Sequence, residues 1–303
     1  MFPIRLSLML GVVSLLLAAG SPTGARPPEE PAAALAEAAA DPYTEVEWSN
    51  GEPAPSLIPT SQGFCYLAGV QGNFSTSADQ TGIYISQGQA LLVGFNNVEW
   101  AKAICVDWSA LTLMPNSPTV APVRWLSDEF QTSTECFAEY RDAWWGDAVT
   151  FLTWVGGNFA ATGWASITQS SHGNTTSRVS ATSSCGDNTR VYARGRSMFF
   201  GQPHAQDMPQ FRGPNGQGPY DFAGNYSVAS TAQDTLNMAP VDTAFCYLQG
   251  VWGTYNHPGD AAWISRETNQ AGKMVWKLRV QEGNPVDGKS LSAVAACYML
   301  TQY

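Results

Sequence analysis

Charge is what this sequence has least of. Asp, Glu, Lys and Arg make up 13% of its 303 residues, about half the usual share of roughly 25%. Acidic residues outnumber basic ones, and the formal charge is −10. Phosphate recognition needs clustered Lys and Arg, so no nucleic-acid partner is expected, nor an anionic membrane surface. The one basic cluster, Arg190, Arg194 and Arg196 in RVYARGRSM, reads as a solvated face. Histidine is scarcer still, with His172, His204 and His257 only. No two of them stand three or four apart, so a zinc signature is missing. Missing too are a Gly-x-Ser-x-Gly elbow, a phosphate loop and the spaced aspartates of a calcium loop. The expectation is no metal and no cofactor.

Long apolar runs are also absent after the start of the chain, so no membrane span is expected. The one such run, about Leu6 to Ala19, follows Arg5 and leads into small residues. It is shorter than the roughly 20 residues that a span needs. Residues 1–25 therefore read as a secretory signal peptide, and the protein as secreted and extracellular. Residues 26–60 begin RPPEEPAAALAEAAADP. Ala, Pro and Glu bury too little surface to offset ordering entropy, so this stretch reads as a flexible linker or pro-segment.

What is present is repetition. FCYLAGVQGNF at Phe64 returns as FCYLQGVWGTY at Phe245, and TFLTWVGGNF at Thr150 is a drifted relative. Leu67, Leu152 and Leu248 correspond, as do Val70, Val155 and Val251, and Gly72, Gly157 and Gly253. Phe74, Phe159 and Tyr255 form the matching aromatic set. Ile83, Ile167 and Ile264 follow, and each segment closes on small–x–small–x–Cys: AKAIC, ATSSC and AVAAC. Agreement at this many positions is the mark of an internal repeat. The units span about 63–106, 148–186 and 244–300 within a β region of 61–303, joined by 107–147 and 187–243.

Six cysteines in a secreted chain point to three disulfides. The repeat pairs Cys65 with Cys105 and Cys246 with Cys297, which leaves Cys136 for Cys185. Alternating small and larger residues, β-branched runs and Gly, Asn and Pro punctuation predict strands. The fold class is thus all-β: three related, disulfide-stapled antiparallel β units. One short helix is allowed near 134–146, where Phe137, Tyr140 and Trp144 fit a helical stripe.

No catalytic constellation stands out. Glu139 and Asp142 would share a face of that helix and are the weak acid–base candidates. The aromatic surplus, 11 Trp and 11 Tyr, is the stronger lead. Flat rings stack on sugar faces while neutral polar groups bond the hydroxyls. Trp154, Trp164, Trp252, Trp263 and Trp276 lie within the units and differ between copies, which favours surface positions. The sequence therefore predicts a non-catalytic, lectin-like protein that binds a glycan or another cell-surface or matrix ligand. A polysaccharide-acting enzyme is the first alternative, and a structural coat or adhesion component the second.

Overall fold

The computed structural model describes residues 41–108, 124–126, 129–134, 137–144, 148–159, 163–169, 176–183, 190–200, 222–230, 233–286 and 291–299. Strands dominate, and there is no α-helix among the described residues. In chain order the strands are β1 (Tyr43–Ser49), β2 (Gly63–Gly72), β3 (Gln80–Ser86), β4 (Gln89–Phe95), β5 (Val98–Asp107), β6 (Arg124–Leu126), β7 (Phe130–Thr134), β8 (Phe137–Trp144) and β9 (Ala148–Gly157). They continue with β10 (Gly163–Gln169), β11 (Thr176–Ser183), β12 (Val191–Phe200), β13 (Phe222–Ser230), β14 (Gln233–Pro240), β15 (Ala244–Gly253), β16 (Ala261–Thr268), β17 (Met274–Gln281) and β18 (Leu291–Met299).

Three sheets result. Their orders are β1-β5-β2-β16-β17-β14, β13-β18-β15-β10-β11-β8 and β4-β3-β9-β12-β6, with β7 also pairing β12. Every pairing is antiparallel. Each sheet is built around a long pair: β2 with β5, β9 with β12, or β15 with β18. The hairpin between the members of a pair leaves for another sheet. Hairpin β3–β4 joins β9, β10–β11 joins β15, and β16–β17 joins β2. The exchange closes on itself, so no sheet is complete without residues from two segments.

Local chemistry explains the shared shape. β2, β9 and β15 each skip one residue against their long partner, after Leu67, Leu152 and Leu248. These bulges bend the strands. Each strand ends on a glycine at positive φ: Gly72 at 153°, Gly157 at 105° and Gly253 at 117°. At Gly157 a side chain would also collide with the backbone of Arg190 and Val191. Buried Asp79 closes the turn before β3 by accepting from the Ser75 and Thr76 amides at 2.9 and 2.7 Å. Asp260 does the same before β16 for Asn256 and His257, at 2.8 Å each. Both aspartates thus hold turns by bonding the backbone just before them.

The core is aromatic at both ends of these strands. Phe74, Phe159 and Tyr255 meet edge to face, with centroids 5.8, 6.0 and 5.8 Å apart. Val70, Val155 and Val251 complete that lining. At the other end Phe64, Tyr66, Phe151, Phe245 and Tyr247 pack together, and the Tyr66 hydroxyl donates to the Cys246 carbonyl at 2.7 Å.

Two of the predicted disulfides are present, Cys65–Cys105 and Cys246–Cys297. Cys136 and Cys185 lie outside the described residues. Three expectations need correcting. The stretch 26–60 is not a linker throughout: Tyr43–Ser49 is strand β1, paired along β5, and Tyr43, Trp48 and Leu57 are buried, because these apolar residues follow the Ala, Pro and Glu run and supply the surface it lacks. Residues 137–144 are strand β8, not a helix, because they pair along their whole length with β11. The middle segment does not close at Cys185 either. Residues Thr176–Ser183 are the second strand of a hairpin, and the strand that closes against β9 is β12. Its Ala193-Arg-Gly195-Arg-Ser197 carries the small–x–small pattern with Ser at the last position. Thr150 faces Ser197 as Cys65 faces Cys105, and their buried hydroxyls stand 2.7 Å apart. A hydroxyl pair occupies the place of a cystine.

Candidate binding face

The outward side of sheet β1-β5-β2-β16-β17-β14 carries the most chemistry that solvent can reach. Its floor is Gly69 on β2. Gly69 faces Trp263 on β16, and Trp263 faces Arg279 on β17. A side chain at Gly69 would strike the Trp100 ring and the Trp263 Cβ within 2.8 Å. Glycine is therefore required where the Trp100 ring and the Trp263 Cβ come together. Both tryptophans are half-buried. Trp100 donates its indole N–H to Glu47 Oε2 at 3.2 Å. The Arg279 guanidinium lies 5.9 Å from the Trp263 ring centroid.

Charged side chains fix the rim. Glu267 accepts from Ser265 Oγ at 2.7 Å, Lys277 Nζ at 2.9 Å and Arg279 at 2.6 Å. Burial acts to raise the Glu267 pKa, but these three donors outweigh it and hold the carboxyl at about 2. Glu45 behaves alike: burial opposes ionisation, while hydrogen bonds from Lys102 and Arg266 hold it below the usual carboxylate range. A carboxylate depressed on folding stabilises the fold above its unfolded pKa and loses that contribution as pH falls through the folded one. Glu267 therefore contributes fully above about pH 4.5, and an acid titration followed by tryptophan fluorescence should show the β16–β17 hairpin weakening between there and about pH 2. Glu267→Gln should remove that part of the acid dependence.

The five predicted tryptophans separate. Trp263 belongs to this face. Trp276 is 0% exposed and gives its N–H to the Ala244 carbonyl at 2.8 Å, so it is core. Trp154 is 5% exposed and is not a free platform. It faces Gly82 across the strands, and its ring is covered by Arg194 at 4.6 Å, Phe95 at 6.0 Å and Gln80, which takes its N–H at 3.0 Å. A large residue in one copy alone reads as exposed in the sequence, but a glycine on the opposing strand makes room for it here. Trp252 is half-buried and sits in register with Trp164, whose side chain is outside the described set.

Glu139 and Asp142 stand on strand β8 rather than on a helix, in register with Ala181 and Arg178. No cluster of three metal-ligating side chains occurs among the described residues, and no helix there is long and apolar enough to cross a membrane. Sequence reasoning missed Trp100. Its signal was its place immediately before the AKAIC run of β5, and the structure sets it opposite Gln71. Compared with known families, curated proteins and solved structures, the chain matches none.

Proposed function

We propose that this is a secreted, non-catalytic binding protein whose ligand is carbohydrate, held on the Trp100–Trp263 face. The observation that carries the reading is the meeting of two half-buried tryptophans at Gly69, where the Trp100 ring and the Trp263 Cβ both lie within 2.8 Å of the place a side chain would take. Two adjacent flat rings offer stacking surface, and Glu47 and Arg279 beside them offer an acceptor and a donor fork for hydroxyls. The rim is held in place before any ligand arrives, which lowers the ordering cost of binding. Secretion is supported by the N-terminal apolar run and by the two disulfides, which persist in oxidising compartments.

The three segments are, on this reading, copies of one β unit. Support comes from features that recur at corresponding positions: the skipped residue after Leu67, Leu152 and Leu248, the positive-φ glycines, and the aromatic trio. The copies have diverged in their outward residues, as expected if one of them acquired the binding face.

The test is binding of the oxidised protein to a broad panel of glycans, followed by variants. Trp263→Ala and Trp100→Ala should each weaken binding about tenfold, the equivalent of roughly 1.4 kcal/mol. Trp276→Phe, in the core, should leave affinity unchanged in whatever protein remains folded. No binding to any sugar class, or full binding by both alanine variants, would remove the proposal.

A further inference from the structure

Charge is balanced differently at the two ends of the sheet that carries Trp100 and Trp263. Around β1 and β5, two cations answer three carboxylates. Lys102 lies 2.5 Å from Glu45 and 3.9 Å from Glu47, and Arg266 holds Asp41 and Glu45 at 2.6 Å each. On the β16–β17 hairpin the balance is reversed. Lys277 and Arg279 share one carboxylate oxygen, Glu267 Oε2, and Oε1 is taken by Ser265. The residues in register with the two cations are neutral. Arg279 stands between Trp263 and Thr235, and Lys277 between Ser265 and Asn237. Asp234 stands in register with Val280, a core position, and accepts from the Thr235 amide at 2.7 Å. One positive charge is therefore unmet here, on a chain that carries −10. Arg279 is also underused as a donor. Among the described residues its guanidinium makes one hydrogen bond, to Glu267, and its Nε is buried without a partner. Its side chain remains 21% exposed, within reach of a ligand on the face.

We propose that the sugar held on the Trp100–Trp263 face is an acidic one, and that Arg279 takes its anionic substituent, a carboxylate or a sulfate ester. The inference rests on the carbohydrate reading above and adds the charge of the ligand to it. Trp263 and Arg279 are directly opposite each other on β16 and β17, and side chains so paired stand about 5 Å apart on one face of a sheet. A sugar ring stacked on Trp263 therefore carries its substituents to the guanidinium. The planar fork of arginine meets a carboxylate or a sulfate through parallel N–H···O bonds, which are stronger than bonds to a neutral hydroxyl. Glu267 does not fill that place. It takes one N–H of Arg279 and divides its charge between that group and Lys277. The exposed Thr235 and Asn237 beyond the two cations offer neutral groups to the rest of the sugar.

The test compares each acidic polymer with its own uncharged form. The oxidised protein is titrated with a polyuronate and its carboxyl-reduced derivative, and with a sulfated glycan and its desulfated derivative. In at least one pair the charged form should bind about tenfold tighter than the neutral one, and the pair that shows it identifies the anion. Arg279→Gln should bring that ratio close to one. Arg279→Lys keeps the charge but loses the fork, and should retain part of the preference. Lys273→Gln removes the same charge from the exposed turn of the hairpin and should leave the ratio unchanged. Each ratio is taken on one preparation, so a loss of folded protein cancels. Equal binding of charged and neutral forms overturns this inference and leaves the carbohydrate reading standing, as does a preference that survives Arg279→Gln. Binding of no polymer, charged or neutral, removes the carbohydrate reading and this inference with it.

Discussion

Phe159→Ala is expected to cost about 3–5 kcal/mol of stability, a large share of the roughly 5–15 kcal/mol by which an ordinary domain is folded. Phe159 is 1% exposed and stands 5.8 Å from both Phe74 and Tyr255. Phe74, Phe159 and Tyr255 come from three segments that are distant in sequence, so losing one ring weakens contacts to both others. The existing space among these rings and Val70, Val155 and Val251 admits no water, and the vacated volume would be lined by carbon alone. Such cavities stay empty and unfavourable. A urea midpoint measured on the variant checks the magnitude. Tyr255→Phe is the contrast. The Tyr255 hydroxyl is buried without a hydrogen-bond partner, and burial together with the nearby Asp260 charge drives its pKa upward. Removing a partnerless buried hydroxyl should be neutral or stabilising. A Tyr255→Phe loss as large as that of Phe159→Ala would refute this account of the trio.

The second large effect is a gain. Thr150→Cys with Ser197→Cys should form a disulfide and raise stability by roughly 2–4 kcal/mol. The two residues face each other across β9 and β12 as the cysteines of the present bridges do across their own strands. In those bridges the Cα atoms are 4.0 and 4.1 Å apart. The new link would close a sequence separation of 47, between the 40 and 51 of the existing ones. The hydroxyl pair it replaces is lost on both sides at once. Peptide mapping of the double variant should find the two introduced thiols joined to each other, and the raised urea midpoint should fall back with reductant. Free thiols at both positions would show that β9 and β12 do not meet in this register.

The sequence by itself determined the fold class and much of the local geometry. Alternating small residues and glycines after valine are short-range signals, each tied to a strand or a bend. The Cys65–Cys105 and Cys246–Cys297 pairings were legible because two near-identical segments, each opening on FCYL and closing on a small–x–small–x–Cys run, are expected to staple in the same way. The middle segment misled for the same reason: ATSSC imitates AKAIC, but the strand that pairs along β9 is β12, where Ser197 faces Thr150. A helical stripe at Phe137, Tyr140 and Trp144 was outweighed by a full ladder between β8 and β11, because tertiary pairing overrides a local period.

Only the tertiary structure decided which hairpin meets which strand, and with that which aromatic ring is seen by solvent. Gly82 facing Trp154 buries one indole, and Gly69 facing Trp263 leaves another in reach of water beside Trp100. Both outcomes depend on residues brought together from different segments. Burial belongs to such a pairing and to its cover, not to either residue alone, so no reading along one strand could have assigned it.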